Sequence, residues 1–180
     1  MHDHISQSTH ETQPPLDDNA RKFVVQEFDP ATYADKKDSV TVFRLITDWL
    51  IIDEESETKL VHKQFSDGTI HTLCIVKQTD ASGKRTSTKT PITLDEYTAQ
   101  LSGSVRRVKK VRHEFTYTQA GRTFSMKYDD FGEAGLKILE VDAEEGSKDR
   151  EVFEPKDFPV VLSEVTGDMS YYGSRIAEHI

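Results

Sequence analysis

From Arg21 onward, short runs rich in β-branched and aromatic residues alternate with clusters of turn residues. RKFVVQEF, SVTVFRLITDWLII, KLVHKQF and TIHTLCIVK occupy the first half; VRRVKKVRHEFTYT, RTFSMKYDDF and LKILEVDAE occupy the second. Runs of this composition and spacing predict strands. Ser66-Asp67-Gly68 supplies a tight reversal between two of them, and Gln119-Ala120-Gly121 and Gly132-Glu133-Ala134-Gly135 supply two more. After the loop DASGKR, the segment TSTKTPI leads into TLDEYTAQL, where Thr93 can cap a helix whose first turn carries Asp95 and Glu96. The tail beyond Pro155 is mixed, and DMSYYGSRIAEHI reads as a closing helix or coil. About eight strands with a few flanking helices predict a mainly β (α+β) fold, an antiparallel sheet closed into a barrel, because closure removes exposed edges.

Alternation along the strands sorts charge from hydrocarbon. Side chains two apart on a strand share a face, so Lys110, Arg112 and Glu114 lie opposite Val111, His113 and Phe115, and Glu140 and Asp142 lie opposite Leu139 and Val141. Two arrangements satisfy that pattern. In one, the charged face is the solvated side of the sheet. In the other it lines a polar barrel interior, whose buried charges need an anionic ligand and cations to balance them.

The chain has 180 residues and a formal net charge of −9. That length fits one domain over 18–180, and residues 1–17, polar and without periodicity, read as a disordered lead-in. The negative balance disfavours nucleic acid and anionic membranes as partners, so any anion site must be local. No apolar run approaches the roughly 18 residues of a membrane span. A single Cys74 and the lack of an apolar leader point to the cytoplasm. His2, His4 and His10 in the lead-in are too flexible to make a costless metal site. His62, His71 and His113 form no triad or zinc spacing, and the basic run from Arg106 to Arg112 lacks interleaved aromatics and is split between two faces.

Several segments, in order, match a known pattern. Glu164-Val165-Thr166-Gly167-Asp168 sits in a tail that continues into a tyrosine-containing turn; Arg21-Lys22-Phe23, Trp49-Leu50, Lys77 at the end of TLCIVK, Arg85, Lys110-Val111-Arg112, and Gly135-Leu136 followed by Glu140-Val141-Asp142 precede it. On these segments the chain resembles the CYTH-like superfamily, or triphosphate tunnel metalloenzymes, from about Asp18 to Ile176. The resemblance implies a β-barrel tunnel that holds a triphosphate-containing small molecule and hydrolyses it, the substrate being inorganic tripolyphosphate or a nucleoside triphosphate. It implies substrate-binding roles for Lys22, Arg44, Lys59, Lys77, Arg85, Lys110 and Arg112. Catalysis would fall to Lys22, Glu140 and Asp142, and Mg²⁺ or Mn²⁺ to Glu140, Asp142, Asp18 and Glu114. Lys and Arg neutralise phosphate oxygens, and hard divalent ions prefer carboxylate and phosphate oxygen.

The chain departs from the family pattern at several positions. Ala20 stands where a second carboxylate is expected beside Asp18, and Lys59 and Val61 fall on paired arginine positions, with His62 and Lys63 adjacent if the register shifts by one. Ser87, Lys89 and Lys127 occupy acidic positions. These losses give an alternative to the hydrolase, a triphosphate- or polyphosphate-binding module with weakened metal chemistry. Adenylate cyclase and thiamine-triphosphatase activities belong to the same superfamily.

Overall fold

Alternating β-branched and aromatic residues produce nine antiparallel strands in the computed structural model, which describes residues 20–142, 152–158 and 160–177. They are β1 (Arg21–Val25), β2 (Thr41–Ile52), β3 (Ser56–Phe65), β4 (Ile70–Thr79), β5 (Arg85–Pro91), β6 (Arg106–Gln119), β7 (Arg122–Asp130), β8 (Lys137–Asp142) and β9 (Val161–Glu164). Helix α1 (Leu94–Gln100) joins β5 to β6, and the single turn α2 (Gly173–Ile176) lies near the carboxyl end. Thr93 caps α1 as its position predicts: its side chain accepts from the Glu96 amide while the Glu96 carboxylate accepts from the Thr93 amide. The β6–β7 reversal places Ala120 at φ 51° and Gly121 at φ 77°. Two consecutive positive φ values match the right-handed twist of a two-residue hairpin, and Gly121 adopts its value without steric cost.

All nine strands belong to one sheet in the order β5-β4-β3-β2-β6-β7-β8-β1-β9. The expected barrel closure is corrected here. The ladder order begins at β5 and ends at β9, so the sheet is open, and the ninth strand arises in the mixed stretch after Pro155, ahead of the segment from Asp168 in which α2 forms. Both margins carry features that suit an edge: β9 has only four residues, and β5 is almost wholly exposed, polar, and ends in Pro91.

The two faces of the sheet differ. On one, Phe23, Val25, Phe115, Phe124, Met126, Tyr128, Leu139 and Val141 form the main core, covered by Phe153 and Phe158 with Phe28 and Tyr33. Among the described residues this half is covered by aromatics beside two short 3-10 helices, Pro30–Thr32 and Pro155–Asp157; Tyr33 stacks on Phe158 with ring centroids 4.2 Å apart. Over the other half of the same face, α1 sends the Tyr97 hydroxyl to Asp48 at 2.8 Å, and Asp48 also accepts from Arg107 at 2.7 Å and Ser104 at 3.0 Å. The Asp48 side chain is fully buried, so three donors satisfy a carboxylate that would otherwise be costly.

The opposite face buries Phe43, Leu45 and Val61 as a second apolar group, with Phe65, Leu73 and Ile75 against it. Among the described residues α2 packs on this face at its Trp49 and Val108 end and α1 lies on the other side, so the burial of Phe43, Leu45 and Val61 falls to the strands around them. Register shifts in β2 between Trp49 and Ile51, and in β1 between Val24 and Val25, add to the normal twist. The sheet is rolled about this face without its edges pairing. No helix among the described residues is long and apolar enough to cross a membrane.

Candidate functional site

Register carries the charged side chains of seven strands onto the concave face. Arg112 lies opposite Asp129 and Phe43; Lys110 lies opposite Leu45; Glu114 and Glu140 flank Lys127 on either side; Glu140 lies opposite Lys22, and Asp142 opposite Ser125. Across the apolar strip of β2, Lys63 faces Leu45, Lys59 faces Trp49, Glu57 faces Lys77, and Lys89 faces Ile75. The structure thus gathers Lys22, Lys59, Lys77, Arg85, Lys110, Arg112, Glu114, Glu140 and Asp142 on one face. Arg44 is not among them: it pairs with Val111 and Gln64 on the opposite face. Asp18, like His2, His4 and His10, lies outside the described residues. The register of β3 places Lys59, Val61 and Lys63 inward and His62 outward, where its ring sits 5.4 Å from that of Tyr97. His113 likewise turns to the main core, 5.5 Å from the Tyr128 ring.

The centre of the face is an ion-pair network around Asp129, whose side chain is 1 % exposed. Its Oδ1 accepts from Arg112 Nε at 2.6 Å, its Oδ2 from Arg112 Nη2 at 2.7 Å, and Lys110 Nζ donates to the same Oδ2. A two-pronged guanidinium contact is the geometry that best holds a carboxylate out of water. Burial acts to raise the pKa of Asp129, but Lys110 and Arg112 overcome it and hold the carboxyl below its usual range. Burial pushes the Lys110 ammonium the other way, below the usual lysine value, with Asp129 opposing that fall and Arg112 adding to it. Glu140 stands farther from its cations, 3.6 Å from Arg112 and 3.9 Å from Lys22. The Lys22 ammonium lies 4.1 Å from the centre of the Tyr172 ring, which the carboxyl-terminal segment lays over that end of β1.

A second group surrounds Glu57 beside Trp49. Lys59 is 2.9 Å and Arg85 3.6 Å from its carboxylate, and Lys77 is its cross-strand neighbour. Burial opposes ionisation here too, yet Lys59, Lys77 and Arg85 together keep Glu57 below the usual glutamate range. α2 and the residues before it close this end: Ile176 and Tyr171 pack with Trp49, Val108, Phe131 and Ile138, and Arg106 donates to the Ser174 carbonyl at 3.3 Å. At the other end Lys127 donates to Asp142, and a hollow of about 240 Å³ opens among Ser39, Glu114, Phe115, Thr116 and Ser125.

The carboxylates differ in their capacity to hold a divalent ion. Asp129 has both oxygens engaged, and Asp142 is engaged by Lys127, whereas the contacts of Glu140 with Arg112 and Lys22 among the described residues are longer. Among the described residues no three Asp, Glu, His or Cys side chains converge as a metal-holding group. Glu140 and Asp142 share one face of β8 and offer carboxylate oxygens, a donor set of the type Mg²⁺ takes when water and ligand oxygens complete its shell. The pair does not form an all-protein cage.

Asp129 and Glu57 escaped the sequence reading. Asp129 is followed by Asp130 and then Phe131-Gly132, so it resembles the acidic end of a hairpin, and Glu57 closes the acidic run DEESE. Alternation outward from Lys127 would have placed Asp129 on the charged face; nothing local marks Glu57.

No family model matches the chain, and no curated protein does. Among solved structures, the PH1819 protein of Pyrococcus horikoshii OT3 is similar, with a TM-score of 0.55 and 14 % identity, over 89 % of this chain and 99 % of that one. At that identity the likeness concerns the fold alone.

Proposed function

We propose that the concave face binds a triphosphate-containing small molecule and supports its metal-dependent hydrolysis. The observation that carries this reading is the excess of cations on one partly buried face of a chain whose formal net charge is −9. Among the described residues Asp129 pairs with both Lys110 and Arg112, and Glu57 with both Lys59 and Arg85, so cations outnumber carboxylates in each of these groups. Charges removed from water without full compensation are costly, and a polyanion would relieve that cost. The rolled sheet serves as an open-seamed channel, with the apolar strip of β2 and β3 as one wall and the ionic network of β6 to β8 as the other.

In this reading Lys110 and Arg112 neutralise phosphate oxygens at the centre of the face, and Lys22 does so from β1, its ammonium steadied by the Tyr172 ring. Lys59, Lys77 and Arg85 receive the far end of the ligand. Glu140 and Asp142 are the residues that would hold a divalent ion, which would supply further positive charge to the phosphate oxygens. Positioning and charge stabilisation are the main contributions a protein makes to phosphoryl transfer. The second reading, a binding module without turnover, is favoured by the engagement of Asp142 with Lys127.

Phosphate release from tripolyphosphate and from ATP, each with Mg²⁺, Mn²⁺ or EDTA, separates the two for the natural chain beside Glu140→Ala and Lys110→Ala. Turnover that needs metal and is lost in both variants establishes the hydrolase; cyclic AMP with pyrophosphate from ATP would instead indicate a cyclase. Calorimetric binding without turnover establishes the module. Neither turnover nor binding would overturn the proposal.

A further inference from the structure

Across β6, β7, β8 and β1, one line of directly opposed residues alternates in charge. Glu114 faces Lys127, Lys127 faces Glu140, and Glu140 faces Lys22. Side chains opposed in this way have Cβ atoms about 4.5–5.5 Å apart, so Lys127 has a carboxylate neighbour on each side. A third carboxylate, Asp142, follows Glu140 on the same face of β8, and the Lys127 ammonium donates to it. The three flank the lysine and do not converge on a single point. The Lys127 side chain is 29 % exposed, and on its Glu114 side lies the hollow that Glu114, Thr116 and Ser125 line. This end of the face is within reach of small ions from solvent.

Around Asp129 two cations share one carboxylate; around Lys127 the proportion is reversed, and three carboxylates flank one ammonium. Of the three, Glu140 also lies 3.6 Å from Arg112 and 3.9 Å from Lys22. Carboxylate oxygens in this proportion suit a hard divalent ion, and here an ammonium is set among them. The two cations repel each other and compete for Asp142, so a metal must break the lysine's bond before Asp142 can ligate it. We propose that Lys127 sets the metal requirement of the concave face: its ammonium takes the place of a divalent ion among Glu114, Glu140 and Asp142 and weakens metal binding there. This inference rests on the assignment of Glu140 and Asp142 as the metal-holding pair and adds the residue that governs their affinity. Lys127 also brings a positive charge of its own, so part of what a metal would offer a polyanion is present without one.

Titration of the full chain with Mn²⁺, free of any phosphate compound and followed by the electron paramagnetic resonance of the unbound ion, tests this role. Lys127→Ala should bind Mn²⁺ at least about tenfold more tightly than the natural chain, because a repelling charge is gone and Asp142 is released. Lys127→Arg should stay as weak as the natural chain. Adding Asp142→Asn to Lys127→Ala should abolish the gain, which places the ion. A lysine that only braced the sheet would give no gain on removal. Lys127→Gln, uncharged and of similar reach, reads the same quantity if Lys127→Ala unfolds. Equal affinity in the natural chain and the neutral variants, no binding in any of them, or a gain that survives Asp142→Asn would overturn the role of Lys127. The triphosphate-binding face is read separately, by calorimetric titration of the natural chain with tripolyphosphate in EDTA and in Mg²⁺. Absence of binding in both would overturn the face and leave the Mn²⁺ result standing.

Discussion

Asp129 shows how one carboxylate organises a site. Removing it leaves Lys110 and Arg112 facing each other in a poorly solvated region, so Asp129→Asn should cost about 3–5 kcal/mol, the range for breaking a buried ion pair, measured by urea denaturation. The same residue makes stability depend on pH. Its folded-state pKa lies below the unfolded value of about 3.9, so its contribution is complete above that value and disappears as pH falls through the lower, folded-state pKa. Denaturation midpoints should therefore drop below about pH 4, and Asp129→Asn should remove part of that drop. Arg112, whose pKa is raised despite burial by its bonds to Asp129, stays charged throughout and adds no pH dependence of its own.

At the scale of elements, the two coverings of the convex face differ in what they cost to lose. Helix α1 has seven residues and little intrinsic stability, so its capping box and the Tyr97–Asp48 bond hold it. Thr93→Ala should cost about 1 kcal/mol by denaturant titration. Phe153, 1 % exposed, packs against Phe23 and Phe124 from the described stretch 152–158, just before the short 3-10 helix Pro155–Asp157. Phe153→Ala should cost about 3–5 kcal/mol by the same measurement. The carboxyl-terminal segment is a different kind of covering, because it closes one end of the charged face. It bonds to the backbone of β1 through the Val165 amide and the Lys22 carbonyl at 2.8 Å and lays Tyr172 against the Lys22 ammonium.

For the whole molecule, the opposition between a net charge of −9 and a cationic concave face has thermodynamic consequences. A ligand that binds only the folded state stabilises it, by about 2.7 kcal/mol at a hundredfold excess over Kd, so the proposed triphosphate-binding role predicts that tripolyphosphate raises the melting temperature by several degrees. Raising salt from low to physiological concentration should shrink that shift less than it would for a surface site, because partly buried charges are screened less over the roughly 8 Å Debye length. A thermal melt series in salt and tripolyphosphate reads both effects.

The strands, their order along the chain and the segregation of charge to one face were legible locally, because period-two alternation and turn chemistry act over a few residues. The runs around β2, β6, β7 and β8 lie close to their observed bounds, and Lys110, Arg112 and Glu114 do share a face. The Thr93 cap was legible for the same reason. The open edges, the inward register of Lys63, the outward turn of Arg44 and His62, and the role of Asp129 were not. Each depends on which strand lies beside which, and a one-residue difference in pairing reverses every side chain. Alternation alone left two places for the charged face, solvent or interior. Only the curvature of the assembled sheet, which buries Phe43, Leu45 and Val61 beside Lys110 and Arg112, decided that it faces inward.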